Sequence, residues 1–131
     1  MIGSKDEQTF EKCKEALKPM GKNFFNCGLS GAGQIAKLCN NILLAIQMIG
    51  TSEALALGGA LGMDQKILTS IMAVSTGRCH SVDAYNPVPG VLPNVPSSRN
   101  YERGFAVDLM LKDVKLALDA ANSVKVKSQL G

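Results

Sequence analysis

Residues 31–62 contain no proline, and Ile35, Leu38, Ile42, Ala45 and Ile49, then Ala54, Leu57 and Leu61, recur at helical spacing. This predicts one long helix, with a bend at Gly50. Roughly thirty residues rising about 1.5 Å each span about 45 Å, more than a small domain needs, so the helix is expected to be central or shared with a second subunit. A chain of 131 residues, 46% of them hydrophobic, suits one compact domain around such a helix. The longest apolar run, residues 42–49 with Gln47 inside it, is far short of the roughly 20 residues a bilayer crossing requires. A core segment is expected there, and no membrane partner.

Shorter elements flank the long one. Phe10, Cys13, Ala16 and Leu17 keep a helical period through alternating charges until Pro19-Met20-Gly21 stops it, which predicts a helix over residues 7–17. The aromatic segment 23–27, bounded by Gly21 and Gly28, reads as a strand. A lone strand is not stable, so residues 1–27 read as the severed end of an α/β unit. Asp64 is placed to cap a short helix that buries Ile67, Leu68, Ile71 and Met72 and ends at Ser75-Thr76-Gly77. Residues 86–100 hold Pro87, Pro89, Pro93 and Pro96 and can be neither helix nor central strand. Loops of this length are usually functional or disordered. Phe105, Leu109, Leu116 and Ala120 then restore a helical stripe to about Asn122.

Composition removes several function classes. The net charge of +3 comes from 14 basic and 11 acidic residues that alternate along the chain, a solvated-surface pattern and not a nucleic-acid stripe. The few aromatic residues are not interleaved with basic clusters, which leaves no base-stacking platform. Cys13, Cys27, Cys39 and Cys79 form no C-x-x-C pair, and the single histidine, His80, adjoins only one of them. No metal site is expected, and the cysteines read as buried free thiols of a reducing compartment. Met1 leads directly into Ile2-Gly3-Ser4-Lys5, without the pattern of a signal peptide.

Three features carry candidate chemistry. Gly31-Ala32-Gly33-Gln34-Ile35-Ala36 is a G-x-G-x-x-A sequence between a predicted strand and a helix, with Glu53 twenty residues beyond Gly33. That is the form of a dinucleotide fingerprint. Its rival is structural: glycines that let the chain turn tightly into a helix, which here runs on without the breaker a second strand would require. Lys37 and Asn41, four residues apart, share a helical face that continues through Leu44, Met48 and Leu55. A lysine there is either snorkelling or a partly desolvated ammonium that exchanges a proton with a substrate hydroxyl. In the last helix Lys112 and Asp113 interrupt the stripe of Phe105, Leu109 and Leu116, as an exposed flank or as site residues.

Taken together these residues resemble the β-hydroxyacid dehydrogenase family, over nearly the whole chain. Residues 28–41, Gly-Leu-Ser-Gly-Ala-Gly-Gln-Ile-Ala-Lys-Leu-Cys-Asn-Asn, are similar to its catalytic-lysine signature, a glycine-rich lead into K-x-x-N-N on a long interdomain helix. The resemblance implies that the dinucleotide fingerprint proper lies upstream. It makes Lys37 the general acid and base and Asn41 the residue that fixes the reacting oxygen. Gly33, Phe105 and Asp113 would then meet the substrate, while Lys112 and Phe105 meet the cofactor, NAD. Residues 75–81 with Tyr85-Asn86-Pro87-Val88-Pro89-Gly90 are similar to the branch of the family that oxidises 3-hydroxyisobutyrate. There His80 departs from the pattern, standing where tryptophan is common.

The implied fold is all-α: a C-terminal helical domain of the 6-phosphogluconate dehydrogenase-like type on one long central helix, preceded by a leftover helix and strand of the Rossmann domain. The implied boundaries are 1–27 for the end of the nucleotide-binding domain and 28–131 for the helical catalytic and substrate domain, cut short at its C-terminus. The implied reaction is hydride transfer between NAD and 3-hydroxyisobutyrate in valine breakdown, with the fragment alone inactive. Expected partners are a small hydroxyacid, the chain's own N-terminal Rossmann domain and further copies of itself. The compartment is the mitochondrial matrix in a eukaryote and the cytoplasm otherwise. Two rivals remain open: a substrate of the tartronate- or succinate-semialdehyde type, and a non-catalytic oligomerisation domain.

Overall fold

The computed structural model describes residues 1–130, in helices α1 (Glu7–Leu17), α2 (Ala32–Ala60), α3 (Gln65–Val74), α4 (His80–Asp83) and α5 (Val107–Ser123), with 3-10 turns at Lys18–Met20 and Pro96–Arg99. The chain forms two compact units, Met1–Asn41 and Ile42–Gly131, and the residues of α2 belong to both.

In the first unit α1 begins where its local chemistry dictates. Asp6, in extended conformation, accepts the Thr9 N–H at 2.8 Å and the Thr9 hydroxyl at 3.0 Å, satisfying a donor the first helical turn leaves free. Those two bonds, the backbone one foremost, hold the Asp6 carboxyl below its ordinary range. Phe10 is the buried residue of α1, and Pro19 turns the chain into the 3-10 segment that ends the helix.

The strand expected at residues 23–27 is not formed. The Ile2 N–H donates to the Phe25 carbonyl at 2.9 Å and the Cys27 N–H to the Ile2 carbonyl at 2.7 Å, which makes a single parallel bridge between Ile2 and Asn26. Among the described residues there is no longer ladder. A strand is defined by its neighbours, and Ile2 alone is too short a partner to propagate pairing. The leftover Rossmann strand of the sequence reading is therefore corrected to one bridge.

The glycines before α2 have separate tasks. Gly28 and Gly31 adopt positive φ of 98° and 92°, a backbone region that costs glycine nothing. Gly33 serves close approach: a Cβ there would lie 3.1 Å from the Met1 carbonyl oxygen, and one on Gly3 would lie 2.6 Å from that of Leu29. The N-terminal segment is thus laid backbone to backbone against the start of α2.

In the second unit α2 ends in paired backbone bonds around Gly62, at φ 86°. The Met63 N–H reaches the Gly58 carbonyl at 2.9 Å and the Gly62 N–H that of Gly59 at 3.0 Å. Gly58 and Gly59 leave room for the Leu68 and Gln65 side chains, and Gln65 Nε2 donates to the Leu55 carbonyl at 3.0 Å. Asp64 caps α3 by accepting the N–H groups of Lys66 and Ile67, both at 2.9 Å.

The proline-rich segment beyond α4 is pinned by side chains. Buried Asn86 donates through Nδ2 to the Val82 carbonyl at 3.1 Å and to Thr69 Oγ1 at 3.3 Å, and its Oδ1 accepts the Val88 N–H at 3.0 Å. The buried Ser97 hydroxyl donates to the Asn86 carbonyl at 2.6 Å, and the Tyr101 hydroxyl to that of Pro87 at 3.1 Å. Prolines remove donors from this backbone, so side chains supply the ordering that a ladder would otherwise give.

Length and composition alone make α2 long and apolar enough to cross a membrane. The sequence count of contiguous apolar residues missed this, because a helical window tolerates isolated polar positions such as Gln47. Only 11% of its most apolar stretch is buried, and Leu43, Ile49 and Leu57 of the helix are exposed. The same properties belong to a helix that packs against further protein.

Candidate active site

In the first unit Gly33, Lys37 and Asn41 succeed one another at intervals of four along α2, which places them on one face of the helix. Gly33 is buried against the Met1 backbone, Lys37 is exposed and Asn41 is buried. Asn40 Nδ2 donates to Asn41 Oδ1 at 3.3 Å. Lys37 is thus an exposed position between two buried ones on that face.

The remaining expected site residues lie in the second unit. Asp113 is buried on α5 and its Oδ1 forms an ion pair with the exposed ammonium of Lys112, the residue beside it. Removing a carboxylate from water is costly unless it is paired, so this ion pair gives Asp113 part of what its burial demands. Phe105, just before α5, is half-exposed and lines an apolar cleft of about 550 Å3 together with α2 residues such as Ile46 and Ile49, and with His80, Tyr85 and Met110. Lys112 lines a separate shallow groove with Asp108, Lys115 and Leu116. The structure thus joins Lys112 to Asp113 directly, and Phe105 to His80 and Tyr85.

Sequence reasoning placed Tyr85 in the stretch similar to one branch of the family but gave it no role of its own. Its ring stacks on His80 with centroids 5.9 Å apart and planes 17° from parallel, and its hydroxyl accepts the Phe105 N–H at 2.9 Å. No local pattern announces a bond across twenty residues of proline-rich chain. Among the described residues no group of three or more histidine, cysteine or acidic side chains could hold a metal ion.

Residues 31–131 match the family described as NAD-binding of NADP-dependent 3-hydroxyisobutyrate dehydrogenase. The whole chain is 53% identical to a mitochondrial 3-hydroxyisobutyrate dehydrogenase of Bos taurus, covering 39% of that protein. It is 47% identical, again over its whole length, to an NAD-dependent L-serine dehydrogenase of Pseudomonas aeruginosa, covering 44% of it. A solved structure of Mycobacterium tuberculosis 3-hydroxyisobutyrate dehydrogenase with L-serine superposes with a TM-score of 0.93 at 38% identity, over 99% of this chain and 44% of that one. The chain therefore spans about two fifths of the length of these relatives.

The family match corrects the expected fold class. The sequence reading made residues 28–131 a C-terminal helical domain of the 6-phosphogluconate dehydrogenase-like type and left nucleotide binding to strands upstream. The family matched over residues 31–131 is instead described as NAD-binding, although those residues are helical and form no strand among those described. The reading failed because it tied dinucleotide recognition to a strand, a glycine turn and a helix, whereas here the glycines serve backbone packing.

Proposed function

Because this chain belongs to the 3-hydroxyisobutyrate dehydrogenase family, we propose that it forms part of an NAD-dependent enzyme that oxidises 3-hydroxyisobutyrate to methylmalonate semialdehyde. NAD, when bound, supplies the two-electron acceptor that takes the hydride from the hydroxyl-bearing carbon. Lys37, as the free amine, takes the hydroxyl proton as the carbonyl forms, and returns it in the reverse direction. Asn41, one turn further along the same face, holds the reacting oxygen through its amide. Asp113 contacts the substrate's polar end, and Lys112 and Phe105 meet the cofactor.

The observation that carries this reading is the shared face of Lys37 and Asn41 on α2, with Asn41 buried and Lys37 at an exposed position. The Phe105 ring and the Tyr85–His80 stack are flat faces in an apolar cleft, chemistry that fits the nicotinamide end of the cofactor. Gly33 does not fit the diphosphate end, since the Met1 backbone occupies the side where a cradle would open. That end is held elsewhere in the enzyme, by the Rossmann partner domain the sequence reading expects.

The Pseudomonas relative's name supports a second substrate reading, another small β-hydroxyacid such as a serine-like one. The exposed apolar face of α2 supports assembly with further copies of the chain. Eukaryotic relatives named as mitochondrial support that compartment in a eukaryotic source.

The test is Lys37→Ala in the full-length enzyme carrying this chain, assayed with 3-hydroxyisobutyrate and NAD. A general acid–base group is worth about 100- to 10,000-fold in turnover, and a loss of that size with folding intact is expected. Undiminished turnover would leave α2 a scaffold and sink the mechanism.

A further inference from the structure

Helix α5 starts without a capping side chain, on Ala106. Immediately upstream the Phe105 N–H is bound by the Tyr85 hydroxyl at 2.9 Å. The backbone at Gly104 passes close to Tyr85 and Pro96. A Cβ on Gly104 would lie 2.8 Å from the Tyr85 hydroxyl oxygen and 2.9 Å from both Cβ and Cγ of Pro96. The tyrosine ring is stacked on His80, and the adjoining chain is fixed by Asn86 and Ser97. The hydroxyl is therefore held on a rigid arm, and glycine at 104 is what allows it to reach its partner.

We infer that Tyr85 is a positioning residue, whose hydroxyl sets the start of α5 and thereby fixes Phe105, Lys112 and Asp113 relative to the substrate and cofactor. The inference rests on the proposed function, in which those three residues meet the reactants. Lys112 and Asp113 lie in the second turn of α5, which begins two residues after Phe105, and a helix transmits a misplaced first turn as a rigid displacement of its later turns. Misplacement of reacting groups by about 1 Å costs on the order of 100-fold in rate.

The test is Tyr85→Phe in the full-length enzyme, with Tyr101→Phe as control. Tyr85→Phe keeps the ring, its volume and the stack on His80 and removes only the acceptor. Amide hydrogen exchange at Phe105 is expected to rise about fivefold or more, the weight of one net hydrogen bond. Turnover is expected to fall about tenfold or more while KM stays within about twofold, because groups are displaced and none is removed. Tyr101→Phe loses its bond to Pro87 in the same loop and is expected to leave both readouts unchanged, which separates positioning from general loosening. Unchanged exchange at Phe105 would overturn the inference, as would faster exchange with undiminished turnover. Lys37→Ala in the same panel reports on the mechanism separately, since its effect does not pass through Phe105 exchange.

Discussion

Replacing Asn86 by alanine tests whether the proline-rich loop is held by one side chain. Asn86 is 2% exposed, and Thr69 and Val82 around it are buried too, so water does not replace what is lost. The substitution removes the bond to Val82 at 3.1 Å, the longer one to Thr69 at 3.3 Å and the acceptor for Val88 at 3.0 Å. Each net hydrogen bond is worth about 0.5 to 1.5 kcal/mol, and a buried partner left unsatisfied costs about 1 to 3 kcal/mol. Counting the Thr69 bond as weak and Val88 as half-buried, the expected loss is about 2 to 4 kcal/mol. In urea, with a slope of about 2 kcal/mol per molar, the unfolding midpoint drops by about 1 to 2 M at unchanged slope. Asn86→Asp keeps the acceptor for Val88 but turns a carboxylate oxygen toward the Val82 carbonyl, and is not expected to rescue stability. A loss below about 0.5 kcal/mol for the alanine variant would refute the argument and return the loop's order to its backbone.

Two further outcomes are expected in the first unit. Gly3→Ala would force a Cβ to 2.6 Å from the Leu29 carbonyl oxygen, a backbone atom that cannot rotate away; overpacking of this kind costs about 1 to 3 kcal/mol, readable as a lowered Tm, and an unchanged Tm would show that the segment is not held there. The Asp6 carboxyl, held down first by the Thr9 N–H, should titrate below the ordinary aspartate value of 3.8. Its folded-state pKa is the lower one, so the stability it gives α1 is present above the unfolded value and is lost as pH falls through the folded one. Side-chain carbon shifts of Asp6 against pH check this, and a midpoint at or above 3.8 counts against the cap.

The sequence by itself determined what depends on near neighbours. The 3.6-residue period and the absence of proline located the long helix, and Asp64 and Pro19 marked where neighbouring helices begin and end, because caps and breakers act within about one turn. It also put Lys37 and Asn41 on one face, since spacing along a single helix decides that. Tertiary structure alone decided the rest. Whether residues 23–27 form a strand depends on a partner far off in the chain, and Ile2 offers one bridge. G-x-G-x-x-A has the same spelling in a phosphate cradle and in a backbone contact, and only the position of Met1 against Gly33 separates them. The bond of Tyr85 to Phe105 was silent in sequence for the same reason: it closes a long loop, and such contacts depend on how that loop folds back, which no local pattern encodes.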